Sequence, residues 1–284
     1  MPDTPLPPAA YGSGEQSPLE YAPESTTLLQ SARIMVRVVW ALILREMLTR
    51  FGRHNIGFLW LFVEPMLFTL GVTTLWAVTG MAHGSTLPIT SFALTGYSTV
   101  LLWRNMPNRA VMAISSNLPL LYHRNVRPMD IFISRLILEA MGATMSFYLL
   151  SIIFVALGWM DFPEDILELA GAWLLTAWFG MGLALLLGAL AERSEIVEKL
   201  WHPAAYLIFP LSGAAFVVDA MPEAFQKAIL WVPMVHCSEM VREAYFGSQF
   251  IAHYDVSYLV SVNLLLTLFG LALERKLSRE VQAE

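Results

Sequence analysis

The sequence holds one cysteine, Cys237, in 284 residues. That excludes an intrachain disulfide and any cysteine-based metal cluster. The six histidines are scattered, with no H-x-x-x-H pair, so no metal site is expected. Lysine is scarce too: Lys199, Lys227 and Lys276 follow Glu198, Gln226 and Arg275, and none completes the G-K-[ST] of a P-loop. The chain therefore lacks that route to nucleotide phosphates. A G-x-S-x-G nucleophile elbow, an H-E-x-x-H zinc helix and a D-x-x-D-G carboxylate cluster are also missing. A membrane enzyme is left as the lesser alternative.

Charge is the next deficit. Only 14% of residues are charged and 56% are hydrophobic, with a mean hydropathy of +0.57, whereas soluble domains carry roughly a quarter charged residues. The composition is that of a membrane protein. A net charge of −6, no basic face and no nucleic-acid-binding motif exclude nucleic acid as a partner. Residues 1–31 contain no Lys or Arg and no early apolar core. They do not read as a cleavable signal and are expected to be a disordered cytoplasmic tail, ahead of one transmembrane domain over 32–284.

What is abundant is long apolar sequence. A membrane-crossing helix needs about 20 mostly apolar residues, and five segments qualify: 57–78, 88–106, 131–157, 169–190 and 256–273. A sixth, 203–218, is shorter and interrupted by Pro210 and Gly213, but it is uncharged. The expected fold class is an all-α integral membrane protein with six transmembrane helices. With both termini inside, fifteen of the seventeen basic residues fall on cytoplasmic segments, and only Lys227 and Arg242 fall outside. Basic residues concentrate on the cytoplasmic side of membrane proteins, which supports that orientation.

Three further segments are not read as spans. Residues 33–50 form an apolar, helix-favouring stretch with Arg33, Arg37 and Arg45 on one arc of about 120°. This suits a helix lying along the inner interface; the alternative, another span, would place three arginines and Glu46 in lipid. Residues 107–128 are basic and punctuated by Pro119 and Pro128, with an apolar patch at Leu118, Leu120 and Leu121. They read either as a solvated loop or as a short helix that a cytoplasmic partner grips. Residues 219–246 contain two short helical patterns separated by Pro233, expected as a pair of re-entrant or interfacial half-helices.

Ionisable residues within the spans are few, and such residues are functional candidates. They are Glu64, Arg135 and Glu139, with Arg104 near the inner end of the second span. Counting about 1.5 Å per residue from the inner ends of their spans, Glu64 and Glu139 both lie about 12 Å deep. Arg135 stands four residues before Glu139 on the same helical face, and is expected to balance Glu139, Glu64 or both around a hydrated vestibule. The alternative is a protonated Glu64 bonding a freed backbone group. Pro65 suits either reading, since it frees the carbonyl of Leu61. Among the aromatics, Trp60, Tyr97 and Trp103 are candidates for stacking on sugar rings, while most of the others are packing and interface residues.

The ordered stretches "REMLTRFGRHNIGFLWLFVEPML", "SSNLPLLYHRNVRPMDIFISR" and "WVPMVHCSEMVREAYFG" resemble the permease subunit of type-2 ABC polysaccharide exporters, most of all the capsular polysaccharide branch. The resemblance runs from about residue 30 to residue 280. It implies two copies of this chain, and a separate cytoplasmic ATPase dimer that binds the ATP and Mg; no cofactor is expected in this chain. It further implies a lipid-linked polysaccharide cargo, an inner-membrane co-polymerase and an outer-membrane export channel. By the same likeness the protein is a multi-pass protein of the bacterial inner membrane, and it is not itself catalytic. Asn117, Leu118, Leu120, Leu121, His123 and Arg124 fall on the family's coupling segment. Trp231, Pro233, His236, Glu239 and Arg242 fall on its outer half-helices, as candidate outer-gate residues. Arg50, Arg53 and His54 cluster at the inner mouth, either to meet phosphate or acidic sugars or as simple topology anchors. Together with Trp60, Glu64, Tyr97, Trp103, Arg135 and Glu139 they make up the expected cargo pathway. Export of an O-antigen, a teichoic acid or a small hydrophobic compound is the rival reading.

Overall fold

The computed structural model describes residues 27–51, 59–79, 87–121 and 126–283. Among these residues there are ten α-helices and no strand. Helix α1 spans Leu28–Phe51, beginning five residues before the expected start of the interface helix. Its start is written locally as T-x-x-Q. The Gln30 side chain accepts from the Thr27 N–H at 2.9 Å, and the Thr27 hydroxyl accepts from the Gln30 N–H at 3.3 Å, a reciprocal capping box. The last four residues assigned to the tail are therefore helical, and the rest of the tail, 1–26, lies outside the described residues.

Helices α2 (Trp60–Thr79), α5 (Pro128–Ala156), α6 (Ile166–Ala191) and α10 (Val256–Ala283) are long and apolar enough to cross a membrane. Helix α3 (Ile89–Ala110) is long enough but less apolar, because it carries Ser91, Thr95, Ser98, Thr99, Arg104 and Asn105. It occupies the centre of the bundle, buried along most of its length against α2, α5, α6 and α9 (Pro233–Phe246). Its hydroxyls are accommodated locally: Thr95 donates to the Ser91 carbonyl and Thr99 to the Thr95 carbonyl, each at 2.7 Å. A helix surrounded by protein does not need lipid-facing hydropathy. Close approach on its α6 side depends on glycine, since a Cβ at Gly180 would stand 2.9 Å from the Trp103 Cα.

The connection after α3 contains a 3-10 turn at Ser115–Asn117 and a four-residue helix, α4 (Leu118–Leu121). The expected fifth span is not a single helix. Instead α7 (Glu195–Ile208) starts before it, a 3-10 turn follows at Phe209–Leu211, and the chain then leaves helical geometry. Pro210 lacks the N–H a continuing helix needs, and Gly213 adopts φ +80°, a conformation side chains disfavour. The outer segment does hold two short helices, α8 (Glu223–Ile229) and α9, with Pro233 at the first position of the second, where a proline costs no hydrogen bond. Helix α10 runs ten residues past the expected end of the last span.

Candidate functional site

A cavity of about 590 Å³ lies between α2, α3, α5 and the α7 segment. Its shape starts with Pro65. The proline frees the Leu61 carbonyl from the α2 ladder, and that oxygen lies 2.9 Å from where a Cβ on Gly142 would sit. Only glycine lets α5 close on this turn, with the carbonyl against its Cα–H. Glu139, one turn earlier on α5, is thereby brought to the same cavity as Glu64.

The arginine that meets Glu139 is Arg109 on α3, with Nε 3.3 Å from Oε1. Arg135, expected to balance these carboxylates, is not a lining residue of the cavity. Its guanidinium donates to the carbonyls of Arg109 at 2.9 Å and Met112 at 3.2 Å and to the Ser116 hydroxyl at 2.9 Å, and it lies 3.6 Å from Glu46 of α1. Two charged residues of α5 thus act on one residue of α3: Arg135 holds the Arg109 backbone, and Glu139 holds its side chain. Asn117, buried, accepts from Arg45 of α1 at 2.8 Å and donates to the Ala113 carbonyl at 2.9 Å. The coupling segment is therefore tied to both α1 and α5. Leu118 stays exposed, and Leu120 and Leu121 pack partly against the core. His123 and Arg124 lie outside the described residues, as do Arg53 and His54; of Arg50 only the helical backbone is described.

The aromatic candidates divide. Tyr97 lines the cavity and packs edge-on against Phe209, with ring centroids 5.9 Å apart. Trp103 does not line it: the ring is completely buried against Phe179 and belongs to the core. Trp60 is exposed and is not a lining residue either. Phe68, Trp76, Tyr206 and Phe209 also line the cavity. Among the charged groups, Arg104, Arg109 and His202 also line the cavity and were not assigned to the pathway. The i, i+7 spacing of Tyr97 and Arg104, which puts both on one face of α3, was the available signal.

Most of the outer-gate candidates make specific contacts within the fold. Arg242 is fully buried and donates to the carbonyls of Gly213 (2.6 Å), Phe216 (2.8 Å) and Ala214 (2.5 Å), with its Cζ 3.7 Å over the Phe92 ring. These are carbonyls that the break after α7 leaves without helical partners, and buried carbonyls need partners. Glu239, buried on the same helix, accepts from the His253 N–H at 3.0 Å. His236 bonds the Leu230 carbonyl through Nε2 at 2.8 Å and accepts the Asp255 N–H at Nδ1 at 2.9 Å. An Nδ1 that accepts makes the ring neutral, and burial lowers its pKa accordingly. Pro233 starts α9, and Trp231 is exposed.

The description "ABC-2 type transporter" fits residues 37–246 of this sequence. The chain belongs to the ABC-2 type transporter family. It is 44% identical over 259 residues to the capsule polysaccharide export inner-membrane protein CtrC of Neisseria meningitidis serogroup B, covering 91% of this chain and 98% of that one. It is 41% identical over 261 residues to the capsule polysaccharide export inner-membrane protein BexB of Haemophilus influenzae, with 92% and 98% covered. More distantly, it is 29% identical over 243 residues to the polysialic acid transport protein KpsM of Escherichia coli, with 84% and 92% covered. As an ABC-2 permease it is a multi-pass, non-catalytic membrane subunit, and the ATPase is a separate subunit.

Proposed function

We propose that this chain forms the inner-membrane channel of an ATP-driven exporter of a lipid-linked capsular polysaccharide. The observation that carries the reading is the cavity, which combines aromatic faces with fixed charges in a bundle of ABC-2 type. Saccharide rings have apolar faces that stack on aromatics and hydroxyls that need polar partners. The capsule-export titles of its relatives support the same cargo class.

In this reading two copies assemble, and both termini face the cytoplasm. Helix α3 and the segment from Leu200 to Val218 complete six crossings with the four apolar helices. The partner ATPase dimer holds ATP and Mg and pushes on the exposed side of the connection around Leu118. The push reaches the cavity through Arg45–Asn117 and through Arg135, whose hydrogen bonds bridge the connection to α5 beside the Arg109–Glu139 pair. Motion of the α2 and α7 walls then opens the path for polymer, which passes on to a co-polymerase and an outer-membrane channel.

Deleting the chain from a capsulate host tests the proposal. Polymer is expected to accumulate inside the cell and to vanish from the surface, and an ATPase is expected to co-purify with tagged protein. Normal surface capsule in the deletion strain sinks the proposal. Accumulation of an O-antigen, a teichoic acid or a small hydrophobic compound instead reassigns the cargo.

A further inference from the structure

The cavity contains a cation that the fold leaves unanswered. Arg109 is met by Glu139. Arg104, one and a half turns earlier on α3, is only 9% exposed, and its Nε is buried with no hydrogen-bond partner. Among the described residues no carboxylate stands within ion-pair distance of it. Among the described residues its specific contact is the Tyr206 ring, 5.4 Å from Cζ to centroid. A cation–π contact with a largely exposed tyrosine returns only a fraction of the hydration that a buried guanidinium gives up. A permanently charged group that lines a cavity and makes no hydrogen bond to the described residues is suited to an anion that arrives from outside the fold.

We infer that Arg104 is the anchor of an anion-binding subsite in the cavity, which receives a phosphate or carboxylate group of the transported molecule. The planar guanidinium offers parallel donors to two oxygens of such a group. Asn105 beside it and His202 across from it on α7 add polar lining. At about 590 Å³ the cavity is far larger than a free inorganic anion needs, and Phe68, Trp76 and Phe209 give it apolar walls. Those walls suit a sugar ring or an acyl chain carrying the anion. Two sources supply that chemistry: the phosphate of a lipid anchor and the carboxylate of an acidic sugar.

The inference rests on the export reading for what carries the anion, but the subsite is measurable without transport. The full chain, purified into phosphatidylcholine nanodiscs, is titrated with dihexanoylphosphatidylglycerol and, separately, with an oligogalacturonate. Dihexanoylphosphatidylcholine and a maltooligosaccharide serve as probes without net charge. Saturable binding of one anionic probe is expected, weakened about tenfold or more by R104Q, the effect of losing a charge-assisted pair of hydrogen bonds. R104K is expected to fall between, since it keeps the charge and loses the fork; it also decides the matter if R104Q does not fold. Binding of the phospholipid assigns the lipid anchor, and binding of the galacturonate assigns an acidic sugar. Equal binding by wild type, R104Q and R104K, or no binding of either anionic probe to wild type, overturns the subsite and leaves Arg104 as a brace for Tyr206. A deletion strain that exports normally sinks the export reading instead, whatever the binding data show.

Discussion

Two arginines lie inside this bundle, and they are buried on opposite terms. Arg242 on α9 spends its guanidinium on three carbonyls of the break after α7 and rests on Phe92. Arg104 on α3, at the edge of a cavity, has the Tyr206 ring and no hydrogen bond to the described residues, while the Nε of both arginines is without a partner. Sequence position alone would rank them the other way, since Arg242 falls in the outer half-helices and Arg104 near the end of a span. Hydrogen-bond satisfaction, not burial, separates a charge that holds the fold together from one held ready for a ligand.

The sharpest way to break the contrast is to remove Arg242. In R242L the carbonyls of Gly213, Ala214 and Phe216 lose their donor, and Glu239 keeps its burial without the nearby cation. Removing one member of a buried charged network costs about 3–5 kcal/mol. A large fall in thermal midpoint in detergent, or loss of the monodisperse species, is the expected result; R104Q is expected to stay close to wild type in the same assay. Equal losses for the two would erase the distinction.

Next in size are the glycines that let each site close. A Cβ at Gly96 would stand 2.6 Å from both the Ala214 carbonyl oxygen and the Arg242 Nη2, and one at Gly142 would stand 2.9 Å from the freed Leu61 carbonyl. Overpacking of this kind costs about 1–3 kcal/mol. G96A is expected to lower the thermal midpoint without touching the cavity. G142A is expected to lower it while also spreading α2 from α5, read out as a drop in surface polymer at matched protein level. If both variants impair export equally at matched levels, the two regions are not separable.

Much of this was legible beforehand, and the failures have physical causes. Hydropathy located α2, α5, α6 and α10 because those helices are long and apolar, and Pro233 marked the start of α9 because only the first turn tolerates it. Residues 203–218 show the limit of composition: Pro210 and Gly213 announced an interruption, and the helix does end there, but the sequence did not show that α7 begins eight residues earlier, at Glu195. Arg135 and Glu139 share a helical face, but their contacts with Glu46 of α1 and Arg109 of α3 could not be read from local spacing. Arg242 needed Ala214, twenty-eight residues away, before its role was visible. The Thr27–Gln30 capping box was readable in the sequence and sets where α1 begins.

A smaller effect is expected at the Arg109–Glu139 pair. Arg109 is 43% exposed and solvent screens the contact, so E139Q is expected to change stability by only about 0–1 kcal/mol. Its effect on export should be larger than that on stability, because the pair lies where the connection meets the cavity wall. Surface polymer and thermal midpoint measured on one set of cells and preparations compare the two. E64Q, on the facing wall, tests whether both carboxylates or only Glu139 need their charge. Unchanged export in both variants would reduce the carboxylates to wall material.

The smallest expected effect is a pH dependence from the α9 side. His236 bonds the Leu230 carbonyl and accepts the Asp255 N–H, and burial holds its pKa below the ordinary value of 6.5. The unfolded chain therefore binds a proton at a pH where the folded chain does not. The stability this geometry contributes is present above about 6.5 and declines as pH falls below it, by at most about 1.4 kcal/mol per pH unit. The thermal midpoint of wild type should fall on acidification more steeply than that of H236Q, which carries no titrating ring. The cavity side offers a control, because the guanidinium of Arg104 does not titrate in this range: R104Q should keep the wild-type slope, and a flattened slope in R104Q would place the titration in the cavity instead of at the base of α9.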